Sequence, residues 1–305
     1  MKPTISIVIA LAPGRNAEVL ESLQHINYPK EKYEIILQEG LNPSYNRNEG
    51  VKKAKADIIA LIDDDAYVHP ELLQRAEDFF KKYKKVDIVG GPQLTPQSDK
   101  SFARITGIII SSYFGAERMS KRYKKSKLTL HADENMLTSA NCFVRRESFI
   151  AIGGFNTKLF PGEDPEFFAR AQRKGHTIAY NPELIVYHKR RATYREFVKQ
   201  FYNYGRMRPK KEVHAKGNTP LLYFMPLFFV VYLLPLFVLG FVHWIFFIPL
   251  VCYLLIALGS SAYQAILHKT FLVILVGPFL YLSMHSAYGI GMLSGYIKPA
   301  KNRTL

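Results

Sequence analysis

The sequence predicts an α/β domain on a mostly parallel, Rossmann-like sheet, followed by C-terminal membrane helices. Three observations carry this. Short apolar runs alternate with helical stretches through roughly the first 200 residues. All 25 Asp and Glu residues precede Pro220, after which only Lys269, Lys298, Lys301 and Arg303 carry a formal charge. Three charge-free runs follow, 221–240, 241–258 and 271–297, and about 20 apolar residues cross a bilayer as a helix. The net charge of +16 over 305 residues therefore averages two unlike parts, a basic domain over 1–212 and a juxtamembrane and membrane part over 213–305.

Composition narrows the classes further. With 48% hydrophobic residues the chain is too apolar to be disordered, and it is too long for a disulfide-stapled scaffold. Its two cysteines, Cys142 in the polar part and Cys252 inside an apolar run, argue against a disulfide or a cysteine zinc site and fit a reducing setting. Met1-Lys2-Pro3 leads straight into a strand-like run without a signal-peptide pattern.

The elements follow in order. Ile5–Leu11 reads as a buried strand, Ala17–Ile26 as a helix, Tyr33–Leu37 as a second strand and Arg47–Ala56 as a helix capped by Asn46 or nearby polar residues. Ile58–Ile62 is a third strand that delivers Asp63, Asp64 and Asp65 to its carboxyl end, where open α/β sheets bind ligands. Pro70 opens a helix to Lys82, and Val86–Gly90 is a strand. Residues 95–135 read as a variable insertion over the site, with Ile105–Phe114 compatible with helix or strand. Ser139–Arg145 is a strand, Glu147–Ile152 a helical turn, and Gly153-Gly154 a break. Pro165–Lys174 is a helix closed by Gly175, Ile178–Tyr180 and Leu184–Tyr187 are short strands, and Tyr194–Met207 is a helix with polar and aromatic faces. In the last apolar run, Gly277-Pro278 and Gly289-Ile290-Gly291 are the expected break points. Two or three spans result, one of them re-entrant or interfacial, because three full spans would put Lys298, Lys301 and Arg303 outside a membrane whose basic domain lies inside.

Two acidic clusters could do chemistry. Asp63-Asp64-Asp65 must either spread into solvent at a turn or share a hard cation, with Mg²⁺ or Mn²⁺ carrying a diphosphate as the usual oxygen-ligand partner. Gly162-Glu163-Asp164 stands where a helix begins, so it either complements the helix N-terminus or supplies a general base. The basic run Arg118, Lys121, Arg122, Lys124, Lys125 and Lys127 reads as a solvated face or a loop meeting lipid phosphate, and nucleic acid is not an expected partner.

Taken in order, Ile5–Leu11, Arg47-Asn48-Glu49-Gly50 with Ala54 and Ala56, Leu61-Ile62-Asp63-Asp64-Asp65, Gly153-Gly154-Phe155, Gly162-Glu163-Asp164, Arg170, Gly175 and Tyr180-Asn181-Pro182 resemble family 2 glycosyltransferases of the GT-A fold over roughly residues 4–208. The tail segment His285–Gly291 is similar to membrane-attached members that build exopolysaccharide or lipid-linked glycans. The resemblance implies a nucleotide-sugar donor, a polyprenyl-linked acceptor, membrane lipid as neighbour, and Mn²⁺ or Mg²⁺ as cofactor. It makes Asp164 the catalytic base, Asp65 a metal ligand, and Asp63 and Asp64 donor-binding residues of the Asp-x-Asp segment. His188 becomes a second metal ligand or else a surface residue beside Lys189-Arg190-Arg191. Glu39, in Gln38-Glu39-Gly40, takes the place of an acidic donor-reading residue, and Arg47 either contacts the donor base or caps its helix. Glu163, Gln200 and Arg206 are candidates for acceptor or diphosphate contact. In Gln200–Arg208, which resembles a Gln-x-x-Arg-Trp region, Asn203 and Tyr204 occupy the Arg-Trp places, and an alternative register uses Arg206-Met207.

The expectation is an inverting, metal-dependent transferase in the cell membrane, multi-pass, with its catalytic domain cytoplasmic and a lipid-linked or polysaccharide-precursor acceptor. A polyprenyl-phosphate sugar synthase and a catalytically silent membrane scaffold of the same fold are the alternatives.

Overall fold

A computed structural model describes residues 2–215 and 221–298; Lys301 and Arg303 lie outside the described residues. In chain order the elements are β1 (Ile5–Leu11), α1 (Val19–Leu23), β2 (Tyr33–Glu39), α2 (Pro43–Lys53), β3 (Ile58–Asp63), β4 (Ala66–Val68), α3 (Leu72–Lys82), β5 (Ile88–Gly90) and β6 (Gln93–Leu94). Then come α4 (Ser101–Ser111), α5 (Tyr113–Ala116), β7 (Asn141–Arg145), α6 (Arg146–Ile152), α7 (Glu163–Arg173), β8 (Ile178–Tyr180) and β9 (Val186–His188). Four helices complete the described chain: α8 (Tyr194–Ala215), α9 (Met225–Val242), α10 (Ile248–His268) and α11 (Leu272–Ile297). They divide between two compact units, 2–96 with 121–189 and 97–120 with 190–298.

The first unit holds a six-stranded sheet in the order β2-β1-β3-β7-β5-β8 and a three-stranded sheet in the order β4-β9-β6. Pairs β1–β2, β1–β3 and β5–β8 run parallel, whereas β7 is antiparallel to both neighbours, so the sheet is mixed. Its strands are apolar on both faces because both are covered. Ile5, Ile7, Ile9, Ala60 and Ile62 face a core with Leu72, Leu73 and Phe79 of α3. Val8, Ile59, Leu61 and Val144 face a second core with Phe149, Phe155, Phe167 and Phe168.

Two helices start two or more residues ahead of expectation. Helix α2 begins four residues early, because Asn42 accepts the Tyr45 N–H at 3.1 Å and Pro43 occupies the first turn. Asn46 is therefore no cap; its buried amide donates to the carbonyls of Gly40 and Leu11. Helix α7 likewise starts before Pro165 and carries Glu163 and Asp164 in its first turn. Its N-cap, Gly162, sits at φ +119°, a left-handed backbone that glycine adopts without strain.

The second unit takes in part of the expected insertion, because 97–120 belongs to it while 121–135 stays with the first unit. Helix α4 settles the open choice over Ile105–Phe114 in favour of helix and packs against α10 and α11. At its end the Tyr281 hydroxyl donates to Ser112 Oγ at 2.8 Å and meets Ser260 Oγ at 3.0 Å. The expected break in the third apolar run does not occur: α11 runs unbroken for 26 residues through Pro278 and the glycines. The glycines serve close packing instead. A Cβ on Gly205 would strike the carbonyl of Tyr288, and one on Gly291 would strike that of Tyr202, so α8 and α11 touch backbone to backbone. Among the described residues two helices are long and apolar enough to cross a membrane, Trp244–His268 and Leu272–Ile297, beside a shorter apolar helix, Leu221–Leu236.

Candidate active site

The site is assembled where β3 ends. Ala10 of β1 lies opposite both Gln38 of β2 and Asp63 of β3, so the carboxyl ends of three parallel strands share one edge. The chain turns through Asp64 and Asp65 into β4, whose Ala66 pairs with His188 of β9. That antiparallel register brings a histidine from more than a hundred residues away beside the aspartates. His188 Nε2 lies 3.0 Å from Asp65 Oδ1 and 3.8 Å from Asp63 Oδ2.

Asp63, Asp65 and His188 each offer one ligand atom, all within 4.8 Å of one another. Two carboxylates and an imidazole suit Mn²⁺ and related divalent ions, so the residues present fit the expected metal. Burial opposes the charge on His188, but hydrogen bonds and charge from Asp63 and Asp65 push it up to about 10. Asp65 is held far below the usual carboxylate range against its burial, by His188 and then Arg15. Asp63 is also lowered against its burial, by His188 and Arg47. Asp64 sits apart from the trio, buried beside Arg15, and burial together with the Asp65 charge raises it to about 6.

Arg47 joins this cluster to the second one. Its buried guanidinium donates to Asp63 Oδ1 at 2.8 Å and to Glu163 Oε1 at 3.0 Å, and it lies over the Phe155 ring. The alternative of a helix cap is overturned, since Arg47 stands in the second turn of α2. Next to Glu163, Asp164 Oδ2 accepts the Ser139 N–H at 3.0 Å. Asp164 Oδ1 is buried and has no hydrogen-bond partner among the described residues. Burial and the neighbouring Asp164 charge raise Glu163 well above the usual carboxylate range, and Arg47 counteracts them only in part.

Three candidates remain, Glu39, Gln200 and Arg206. Glu39 is exposed, one residue beyond the Gln38–Ala10–Asp63 row, and makes no side-chain bond to the aspartates among the described residues. Gln200 and Arg206 stand on α8 of the other unit, where the Gln200 amide donates to the Tyr204 hydroxyl at 3.0 Å. One participant escaped the sequence reading: Arg15, beyond the end of β1, lies 3.3 Å from Asp64 Oδ2 and 3.2 Å from Asp65 Oδ2. Its place at the carboxyl edge of the sheet was the available signal.

A family model described as "Glycosyltransferase like family 2" matches residues 3–202. The chain belongs to this family. It is a GT-A glycosyltransferase with apolar C-terminal helices. Over 96% of this chain and 97% of the relative, it is 23% identical to a dolichyl N-acetyl-α-D-glucosaminyl phosphate 3-β-D-2,3-diacetamido-2,3-dideoxy-β-D-glucuronosyltransferase of Methanococcus voltae. It is also 23% identical to a glucosyl-dolichyl phosphate glucuronosyltransferase of Haloferax volcanii, over 48% of this chain and 47% of that one. Among solved structures, the mannosyltransferase PcManGT from Pyrobaculum calidifontis, in complex with GDP-Man and Mn²⁺, superposes with a TM-score of 0.56 at 13% identity, covering 97% of this chain and 88% of the other.

Proposed function

We propose that this glycosyltransferase moves a sugar from a nucleotide-sugar donor to a sugar hydroxyl of a polyprenyl-linked acceptor, with inversion at the anomeric carbon and with Mn²⁺ or Mg²⁺ as cofactor. The observation that carries the reading is Asp164, whose one oxygen is anchored by Ser139 while the other is buried and open. A buried acceptor atom without a partner costs about 1–3 kcal/mol, and such atoms call for an explanation in function. Asp164 accepts the proton of the acceptor hydroxyl as that oxygen bonds to the anomeric carbon and the bond from the carbon to the diphosphate oxygen breaks. A single displacement inverts the centre without a covalent sugar–enzyme intermediate.

Asp63, Asp65 and His188 would hold the divalent ion, which when bound supplies neutralising charge for the leaving diphosphate. Arg47 links the donor-side carboxylate Asp63 to Glu163, the neighbour of the base. The relatives named for dolichyl-linked sugars support a lipid-linked acceptor, and apolar helices long enough to span a bilayer suit an enzyme whose acceptor resides there. We assign the catalytic unit to the cytosolic face, where nucleotide sugars dissolve.

The test uses the full chain in detergent. Its thermal stability is measured with UDP, GDP and dTDP sugars, with and without Mn²⁺, beside Asp65→Asn. One nucleotide class should stabilise the protein only with Mn²⁺, and the variant should lose the effect. Stabilisation that ignores both Mn²⁺ and the substitution overturns the metal assignment. With a polyprenyl-linked sugar as acceptor, NMR of the product should find the donor's anomeric configuration inverted, and retention rules out the single displacement.

A further inference from the structure

Three carboxylates stand in a row at Asp63, Asp64 and Asp65, and three cationic side chains meet them, Arg47, His188 and Arg15. These three are built very differently. Arg47 is buried on α2, bonded to carboxylates on two sides and packed on Phe155, so it has nowhere to move. His188 belongs to a paired strand. Arg15 sits on the exposed 12–16 loop after β1 with 49% of its side chain open, and its only side-chain partners among the described residues are Asp64 and Asp65. It occupies Asp65 Oδ2, while His188 lies against Oδ1 of the same carboxylate.

We propose that Arg15 and the divalent cation compete for Asp65, and that the displaced guanidinium becomes a ligand of the donor's diphosphate. The inference rests on the metal-dependent donor site proposed above. A divalent ion on Asp65 neutralises one of the two carboxylates that hold Arg15. The arriving diphosphate brings negative charge to the same sheet edge, and the planar fork of a guanidinium matches phosphate oxygens two at a time. The exposed loop lets the side chain make that exchange with no rearrangement of the core. Arg15 thus lowers affinity for the ion alone and raises affinity for the ion together with the nucleotide, so a free ion is held weakly until the donor arrives.

The two effects have opposite signs under one substitution. The full-length protein in detergent is titrated with Mn²⁺ alone by calorimetry, then with UDP and GDP at saturating Mn²⁺, and with the matching monophosphates. Arg15→Ala should bind Mn²⁺ alone about threefold more tightly, as expected on removing a competing half-exposed ion pair. The same variant should bind the preferred diphosphate about tenfold more weakly, the scale of a lost charge-assisted hydrogen bond, with little change for the monophosphate. Arg15→Lys, which keeps the charge without the fork, should restore the Mn²⁺ affinity of the parent and only part of the diphosphate affinity. Mn²⁺ affinity that is unchanged or weaker in Arg15→Ala, or diphosphate affinity that does not fall, overturns the proposal. If the parent protein binds neither Mn²⁺ nor a diphosphate in a metal-dependent way, the donor-site reading and this inference fall together. Metal-dependent binding in the parent that Arg15→Ala leaves untouched sinks this inference alone.

Discussion

The two acidic clusters of the catalytic unit are both built of carboxylates and differ in the cations that meet them. At Asp63-Asp64-Asp65 each carboxylate has a cationic group within 3.3 Å, supplied by Arg47, Arg15 and His188. At Glu163-Asp164 one cation, Arg47, reaches only Glu163, and an oxygen of Asp164 is left buried and unbonded among the described residues. Asp63 and Asp65 are accordingly lowered in spite of burial, whereas burial and the Asp164 charge raise Glu163. The difference teaches how one residue type is fitted to two tasks. On the proposed mechanism, the carboxylates that hold a cation are kept anionic by neighbouring cationic side chains, and the carboxylate that receives a proton is kept short of donors.

The largest expected effect breaks the second cluster alone. Asp164→Asn removes the open anionic oxygen and keeps the size of the side chain, so turnover should fall about 10³-fold, the middle of the range for general-base catalysis. Diphosphate binding with Mn²⁺ should stay near the parent value, because the first cluster is intact. Steady-state rates and calorimetry on the same preparation check both parts. A loss under about tenfold would instead favour a bare phosphate acceptor, whose anionic oxygen needs no deprotonation at neutral pH, and with it the polyprenyl-phosphate sugar synthase.

A smaller effect tests the link between the clusters. Arg47→Met keeps length and apolar packing on Phe155 but strips Asp63 and Glu163 of their shared cation. Breaking a buried pair by removing one partner costs about 3 kcal/mol, which denaturant unfolding would read as a lowered midpoint. A midpoint within error of the parent would mean that the two clusters are independent and that Arg47 is a bystander.

How much of this was legible in the sequence depends on the range of the interaction. The Asp-x-Asp at the end of a buried strand needs only local reading, since strand period and sheet polarity place it. The start of α2 was also written locally, in Asn42-Pro43, and a capping rule applied there would have found it. His188 was reached only through family resemblance, because its neighbour β4 is three residues long, too short to leave an alternating pattern. Arg15 lies in a loop with no periodicity at all, and its role appears only when two chain segments 50 residues apart are brought together. The same limit hid the pairing of α4 with the apolar helices, where Ser112 and Tyr281 are 169 residues apart. The glycines of α11 read as break points because composition cannot distinguish a helix that stops from one that another backbone touches.

The mildest test concerns proton occupancy of Glu163. Its folded-state value lies above the ordinary 4.5, so the folded chain binds this proton more tightly than the unfolded chain does. The sign follows directly: the contribution of Glu163 to stability is complete below about pH 4.5 and declines as pH rises toward and through neutrality. Glu163→Gln is a fixed, uncharged stand-in for the protonated form. Its melting temperature should match the parent below about pH 4.5 and exceed it by pH 8. A parent protein that gains on the variant as pH rises would mean that the Arg47 ion pair outweighs burial and the repulsion from Asp164. The second cluster would then be as firmly neutralised as the first, and the contrast between the two would lie only in the open oxygen of Asp164.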